Sequence, residues 1–334
     1  MKVLFIGGTG TISSACSDLA IERGIDLYLL NRGQSARPLP AGATILRGDI
    51  RNKQSVLDAI GAMQFDVVVD WVAFTPEHIE TDIDLFRGRT NQFVFISSAS
   101  AYQTPPRSLP IVESTPLHNP FWDYSRNKIA CEERLMRAYR EEGFPITIVR
   151  PSHTYDKTRL PFFGRWAVID RMRHGLPVIV HGDGTSLWTL THHKDFAKGF
   201  VGLLGNRRTL GEIFHITSDE ALTWNQIVEI CAEAAGTSAE IVHIPSKLIA
   251  AYHQAWGTSL LGDKSHSMVF DNSKLKRFVP DFAATIPYAQ GAREVIAWFE
   301  ADPARQVIDP AANETMDRIL AAYGKAFPSI KHVE

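Results

Sequence analysis

Short, continuously apolar runs punctuate the first half of this chain and alternate with stretches whose apolar positions recur at helical spacing. The runs are Val3-Leu4-Phe5-Ile6, Leu27-Tyr28-Leu29-Leu30, Ala43-Thr44-Ile45-Leu46, Val67-Val68-Val69, Phe93-Val94-Phe95-Ile96 and Ile146-Thr147-Ile148-Val149. Strands apolar on both faces belong inside a parallel sheet covered by helices, because a half-exposed strand would alternate. Between them, Ile12, Cys16, Leu19 and Ala20 share a helical face, as do Val56 and Ile60. The rhythm predicts an α/β fold built on a doubly wound parallel sheet of the Rossmann kind. The second half is less regular, broken by Pro161, Gly164, Gly175, Pro177, Gly182 and Gly184, with helices expected near 223–235, 287–299 and 312–325. The expected division is a sheet domain over residues 1–170 and a smaller mixed α/β C-terminal lobe over 171–334. That lobe would bind substrate and send some segments back to the first domain.

Composition narrows the classes. At 334 residues the chain can bury a sizeable core, and a net charge of -2 gives no global field for nucleic acid or an anionic membrane. Neither is an expected partner. The chain enters a buried-type strand directly after Met1 and shows no apolar run near the roughly 18 residues of a membrane span, so a cytoplasmic location is expected. Cys16, Cys131 and Cys231 stand apart, without metal-ligand or redox-pair spacing, and read as small apolar fillers. His192-His193 is a poor ligand pattern, and no metal is expected.

Candidate chemistry begins where the first strand meets the first helix, at Gly7-Gly8-Thr9-Gly10-Thr11-Ile12-Ser13. Glycines in that context make a phosphate loop. Gly7 supplies the tight turn and Gly10 the close approach, while the helix N-terminus at Thr11 and Ile12 offers N–H groups to a pyrophosphate. The second strand ends in Asn31-Arg32-Gly33. An acid there would bind a ribose 2′-hydroxyl and repel a 2′-phosphate. A neutral Asn31 followed by a planar cation, Arg32, favours NADP over NAD, although an arginine stacked on adenine also suits NAD.

Tyr124-Ser125-Arg126-Asn127-Lys128 places a phenol and an ammonium one helical turn apart on one face. At about 4 Å and an effective dielectric of about 20, such a pair is worth roughly 4 kcal/mol. That is enough to draw a phenol toward acid/base duty near neutral pH. Upstream, Ser97-Ser98-Ala99-Ser100-Ala101-Tyr102 follows the fifth strand, and a hydroxyl at a strand's carboxyl end lies at the cleft of a doubly wound sheet.

This order of glycine loop, strand-end serine and Tyr-x-x-x-Lys resembles the short-chain dehydrogenase/reductase superfamily. It is similar to the extended and atypical branches and to the NAD-dependent epimerase/dehydratase family, whose best-known member is UDP-galactose 4-epimerase. Gly-x-x-Gly-x-x-Ser departs from the family only at Ser13, where glycine or alanine is usual. The resemblance implies that Ser98 hydrogen-bonds the reacting oxygen, with Ser97 or Ser100 as substitutes. It also implies a cofactor lined by Asp49-Ile50, by Val72 and Ala73, and by Pro151, Ser152 and His153, from a turn resembling Arg-Pro-x-x-x-Tyr. Asp49 reads equally as a turn residue or helix cap, and Trp71 as pocket wall or core. Where nucleotide-sugar epimerases carry an arginine to clamp a diphosphate, this chain has Trp188, which can stack on a ring. Ala99 and Ser100 replace the Asp-Glu pair of sugar 4,6-dehydratases and argue against that reaction. His192 or His193 is a further candidate for the substrate cleft, and relatives often dimerise through the tyrosine helix.

The expected activity is hydride transfer with Tyr124 exchanging a proton on a sugar or nucleotide-sugar-like small molecule. One alternative is an NADP-dependent reductase or dehydrogenase of an unphosphorylated compound. Another, from a different class, is a non-catalytic cofactor-binding regulator or RNA-binding protein.

Overall fold

The computed structural model, which describes residues 1–326, turns every one of the six apolar runs into a strand. These are β1 (Lys2–Ile6), β2 (Asp26–Asn31), β3 (Thr44–Arg47), β4 (Phe65–Asp70), β5 (Thr90–Ile96) and β6 (Ile146–Pro151). They lie parallel in the order β3-β2-β1-β4-β5-β6, and the strand Ile213–Ile216 adds to the far edge of β6. That seventh strand is unforeseen because a histidine interrupts its apolar run. His215 is fully buried there, one ring nitrogen bonded to the Tyr102 hydroxyl at 3.0 Å and the other to the Asp271 carbonyl at 2.8 Å.

Alternation along each strand divides the core in two. Val3, Phe5, Val67 and Val69 face one way, toward α1 (Ser13–Glu22) and the helix His193–Leu203, where Phe196 and Phe200 pack. Leu4, Ile6, Val68, Phe93 and Phe95 face the other way. They meet Val56 of α2 (Lys53–Ile60), Ile79 and Ile83 of α3 (Pro76–Phe86) and Leu135 of α4 (Asp123–Glu142). Each such side chain contributes roughly 1.5–3 kcal/mol on burial. Helix ends follow local chemistry: Asn52 accepts the Ser55 N–H to cap α2, Pro76 starts α3, and Gly143 ends α4 at φ +67°. Chain order reverses between β1 and β4, so the crevice beyond their carboxyl ends is where this fold takes ligands.

One unit comprises Met1–Asp156, Thr189–Glu220 and Val269–Ile286, and a second comprises Lys157–Trp188, Ala221–Met268 and the chain from Pro287. The first break therefore falls at 156 rather than 170. The reason is the late seventh strand, which obliges the sheet unit to take back 189–220 after the chain has left it. The second unit holds the helices Trp224–Ala234, Tyr288–Glu300 and Pro310–Lys325 and a parallel pair, Val178–His181 with Ile241–Ile244. Its core gathers Ile244, Ile249, Leu260 and Ile319, with Phe163 stacked on Trp256 at 5.2 Å. Among the described residues no helix is long and apolar enough to cross a membrane.

Candidate functional site

The glycine loop is shaped by φ values only glycine adopts readily. Gly7 sits at +100° and Gly8 at +97°, and a Cβ on Gly8 would stand 2.7 Å from the Leu29 side chain. Ser17 donates to the Gly8 carbonyl at 2.9 Å, tying loop to α1. Ser13 does more than stay small: its Oγ accepts the Gly10 N–H at 2.8 Å, which fixes the last turn of the loop. Arg37 reaches over from the segment after β2, donating to Thr11 Oγ1 at 3.4 Å while paired with buried Asp156 at 2.5 Å.

From this loop a groove of about 440 Å³ runs past Asn31, Arg32, Gly33, Asp49, Ile50 and Val72. Asn31 Oδ1 accepts the Gly33 N–H at 3.0 Å and Arg47 Nη1 at 3.3 Å, but its buried Nδ2 has no partner. An orphaned donor costs of order 1–3 kcal/mol, and its residue lines the groove. Arg32 is exposed at the rim. Asp49 makes a turn, Oδ1 taking the Arg51 N–H at 3.0 Å, while its residue still lines the groove. Glycine loop, orphan donor and groove together fit a dinucleotide.

Tyr124 and Lys128 lie in the first turns of α4 as their spacing predicts. Tyr124 is half-buried between the rings of Trp122, at 5.1 Å, and Phe74, at 6.3 Å. Lys128 is only 2% exposed, its Nζ donating to the carbonyls of Ala73 at 2.6 Å and Ile96 at 2.7 Å, and it stands 5.8 Å from the Tyr124 ring centre. Burial pulls the lysine pKa down to about 8, against the opposing pull of Cys131, Asp70 and Glu132. The Ala73 backbone is thus occupied inside the protein, its N–H by Asp70 and its carbonyl by Lys128. Val72 is similar, with its N–H on Asp70 and its carbonyl on Arg51. Both backbones are held by the site's own side chains, and Val72 lines the groove. Trp71 is core, packed against Phe5 and Phe200 at 5.5 and 4.8 Å.

Of the serines after β5, Ser97 is ruled out as the reacting hydroxyl. It is buried and donates to Glu132, which also binds Arg150. Ser100 is buried too, joined to Ser98 Oγ at 2.9 Å and to Ser125 Oγ at 2.8 Å, so it meets a substrate only through Ser98. Ser98 alone of these hydroxyls is partly exposed.

Two features beneath the site escape sequence reasoning. Glu132, one turn beyond Lys128, forms a bidentate pair with Arg150 at 2.9 and 2.5 Å, both side chains 2% exposed, and Arg150 lies 4.6 Å over the Tyr102 ring. The 124/128/132 spacing was the available signal. Asp70 Oδ1 accepts the N–H groups of Val72 and Ala73 while Asp82 of α3 is fully buried with both oxygens unpartnered. Burial, then the charge of Asp70, holds the Asp82 carboxyl well above the usual carboxylate range.

The remaining candidates take varied places. Pro151 closes β6, Ser152 Oγ bonds Thr191 Oγ1 at 2.8 Å, and His153 starts a short ladder with Leu190. His192 is buried, its Nδ1 accepting the Lys194 N–H to cap the next helix and its ring edge-on to Tyr155 at 5.4 Å, an ample structural role. His193 keeps an unpartnered Nδ1, and burial lowers its pKa to about 4. Trp188 is buried in the second unit, with Trp224 at 5.6 Å and Lys264 Nζ 5.6 Å over its ring. Among the described residues no group of three or more His, Cys, Asp or Glu is placed to hold a metal ion.

Known proteins resemble this arrangement over most of its length. The chain is 29% identical over 261 residues to the chloroplast stem-loop binding protein of 41 kDa b of Arabidopsis thaliana, covering 74% of this chain and 66% of that protein, just short of two thirds. It is 24% identical over 288 residues to 2'-dehydrokanamycin reductase of Streptomyces kanamyceticus, covering 84% and 80%. Among solved structures, UDP-glucose 4-epimerase of Bifidobacterium longum, in complex with NAD+ and UDP, shares the fold at a TM-score of 0.72 and 18% identity. It covers 91% of this chain and 99% of that one. Residues 3–217 match the model of the NAD dependent epimerase/dehydratase family, and the chain belongs to that family.

Proposed function

We propose that this chain is an NAD(P)-dependent oxidoreductase or epimerase acting at a hydroxyl-bearing carbon of a sugar or nucleotide-sugar-like molecule, with Tyr124 moving the hydroxyl proton. The observation that carries this is Lys128. A buried ammonium has three N–H donors; two go to Ala73 and Ile96, and the third remains for a ribose hydroxyl or the tyrosine oxygen. Standing 5.8 Å from the centre of the Tyr124 ring, the charge favours the phenolate over the phenol. Tyr124 then takes a proton from a substrate alcohol or returns one to a carbonyl, and Ser98 donates a hydrogen bond to the same oxygen.

Gly7, Gly8, Gly10, Asn31, Arg32, Asp49 and Ile50 would hold the dinucleotide, which supplies the hydride donor or acceptor when bound. The absence of an acid at the end of β2, with Arg32 exposed and Asn31 Nδ2 unpartnered, supports NADP. Arg32→Ala should weaken NADPH far more than NADH; equal losses would sink the preference.

Reduction of an unphosphorylated compound is a second reading, favoured by the buried Trp188 where a diphosphate-clamping arginine is expected and by the name of the Streptomyces relative. Nicotinamide absorbance during turnover of UDP-glucose, UDP-galactose, glucose and small ketones separates the two, since an epimerase regenerates its cofactor. RNA binding, a third reading beside which the Arabidopsis relative is named a stem-loop binding protein, would show as salt-sensitive retention of an RNA stem-loop, against which the net charge of -2 stands. Tyr124→Phe should abolish turnover while leaving cofactor affinity within about twofold. Undiminished turnover would refute the assignment.

A further inference from the structure

Ser125, Ser100 and Ser98 make a continuous row of hydroxyls running from inside α4 to the open end of β5. Ser125 is fully buried and donates to Ser100 Oγ at 2.8 Å; Ser100 is 4% exposed and shares a 2.9 Å contact with Ser98 Oγ. A hydroxyl has one proton to give and two lone pairs to offer. Because Ser100 Oγ already accepts from Ser125, its own proton is best placed on Ser98, the other oxygen within reach. Ser98 Oγ also accepts the Ser100 backbone N–H at 3.2 Å, as the cap of the short turn Ala99–Ala101. Both of its lone pairs are then filled, and its proton has no partner in the row.

We infer that this row is a one-way hydroxyl chain that presents Ser98 to the reacting oxygen as a donor and not as an acceptor, with Ser100 and Ser125 as positioning residues. This rests on the reading above, in which Ser98 and Tyr124 meet the same substrate oxygen. A donor-only Ser98 bonds a carbonyl or alkoxide better than an alcohol, so it favours the oxygen as charge develops on it. The alcohol proton is left facing Tyr124. Each bond in such a chain also strengthens the next, by about 10–30%. Ser125 is therefore tied to chemistry by its side chain, though it follows Tyr124 on a different face of α4.

Neutron diffraction from deuterium-exchanged crystals of the wild-type protein tests the order of protons directly, with no substrate needed. Deuterons on the Ser125–Ser100 and Ser100–Ser98 lines, with the Ser98 deuteron turned away from Ser100, are the expected result. A Ser98 deuteron on Ser100 Oγ overturns the inference and leaves Tyr124 untouched. In kinetics with whichever of UDP-glucose, UDP-galactose, glucose or ketone turns over fastest, Ser98→Ala should cost roughly 10²–10³ in kcat. Ser100→Ala and Ser125→Ala should each cost roughly three- to tenfold, the worth of one hydrogen bond, with cofactor Kd unchanged. The Ser100→Ala/Ser125→Ala double variant should be no slower than Ser100→Ala alone, and Ser125→Thr should restore the rate. Additive losses, or a Ser125→Ala enzyme as fast as wild type beside an inactive Tyr124→Phe, would overturn the chain alone; a fully active Tyr124→Phe would overturn the function it serves.

Discussion

Replacing Lys128 by methionine should remove activity and yet leave the protein as stable as wild type, or more so, at neutral pH. The ammonium lies against the Phe74 and Phe95 rings, 4.7 Å from the centre of each, and burial takes its pKa from 10.5 to about 8. That fall corresponds to about 3 kcal/mol of preference for the neutral amine over the charged one in the folded state. The sign follows from proton counts. Between about pH 8 and 10.5 the unfolded chain binds a proton that the folded chain has released, so wild-type stability rises with pH across this window. Below it the full penalty stands. Methionine has no proton to bind, and its variant lacks this slope. It does strand the carbonyls of Ala73 and Ile96, at roughly 1 kcal/mol each, which leaves a net gain near 1 kcal/mol at pH 7. Urea unfolding of both proteins at pH 7, 8, 9 and 10.5 is the assay. The difference should swing by about 3 kcal/mol in favour of wild type between the lowest and highest values. A difference that stays constant with pH would refute the account of a charge held against desolvation.

Asp82→Asn should match wild type near pH 4 and become the more stable protein as pH rises. The raised carboxyl binds its proton in the folded state past the range where the unfolded chain has lost it, so wild type loses stability upward through that window; parallel pH curves in urea would contradict an Asp82 carboxyl raised by burial. Arg150→Met should cost roughly 3–5 kcal/mol by leaving Glu132 buried and unpaired, and adding Glu132→Leu should recover much of it; a double variant worse than the single would argue against an isolated ion pair. Gly8→Ala meets both a left-handed φ of +97° and a Leu29 contact at 2.7 Å. It should lower the melting temperature and weaken dinucleotide binding at least tenfold, while normal binding would deny the loop its role.

What the sequence disclosed and what it hid divide along one line. Features fixed by periodicity were legible: six strands from doubly apolar runs, and Tyr124 with Lys128 from a spacing of four. The glycine loop was legible because strand, turn and helix adjoin in the chain. The approach of Asp82 to Asp70 was not, since it depends on how α3 returns over the end of β4, and nothing in the eleven intervening positions encodes that crossing. Ser97, Ser98 and Ser100 were indistinguishable as letters. They separate only when Glu132 claims the first and Ser125 the last. His215 hid a strand because a polar ring inside a sheet is tolerated only with both nitrogens satisfied, and its partners Tyr102 and Asp271 lie 113 and 56 residues away.

The charges around Lys128 explain why so many ionisable groups gather beneath one lysine. Asp70, Glu132 and Cys131 all act to keep it protonated, and burial opposes them. Glu132 has its charge largely answered by Arg150 in a bidentate contact, and the Cys131 thiol is pushed up to about 12 by burial. That leaves Asp70 as the anion with most leverage, and Asp70 also grips the N–H groups of Val72 and Ala73, whose neighbouring carbonyl receives the lysine. One carboxylate therefore sets both the position of the ammonium and the ease with which it stays charged. With burial outweighing these anions, the Lys128 pKa stands near 8, which suits a group placed beside a tyrosine that must give and take a proton.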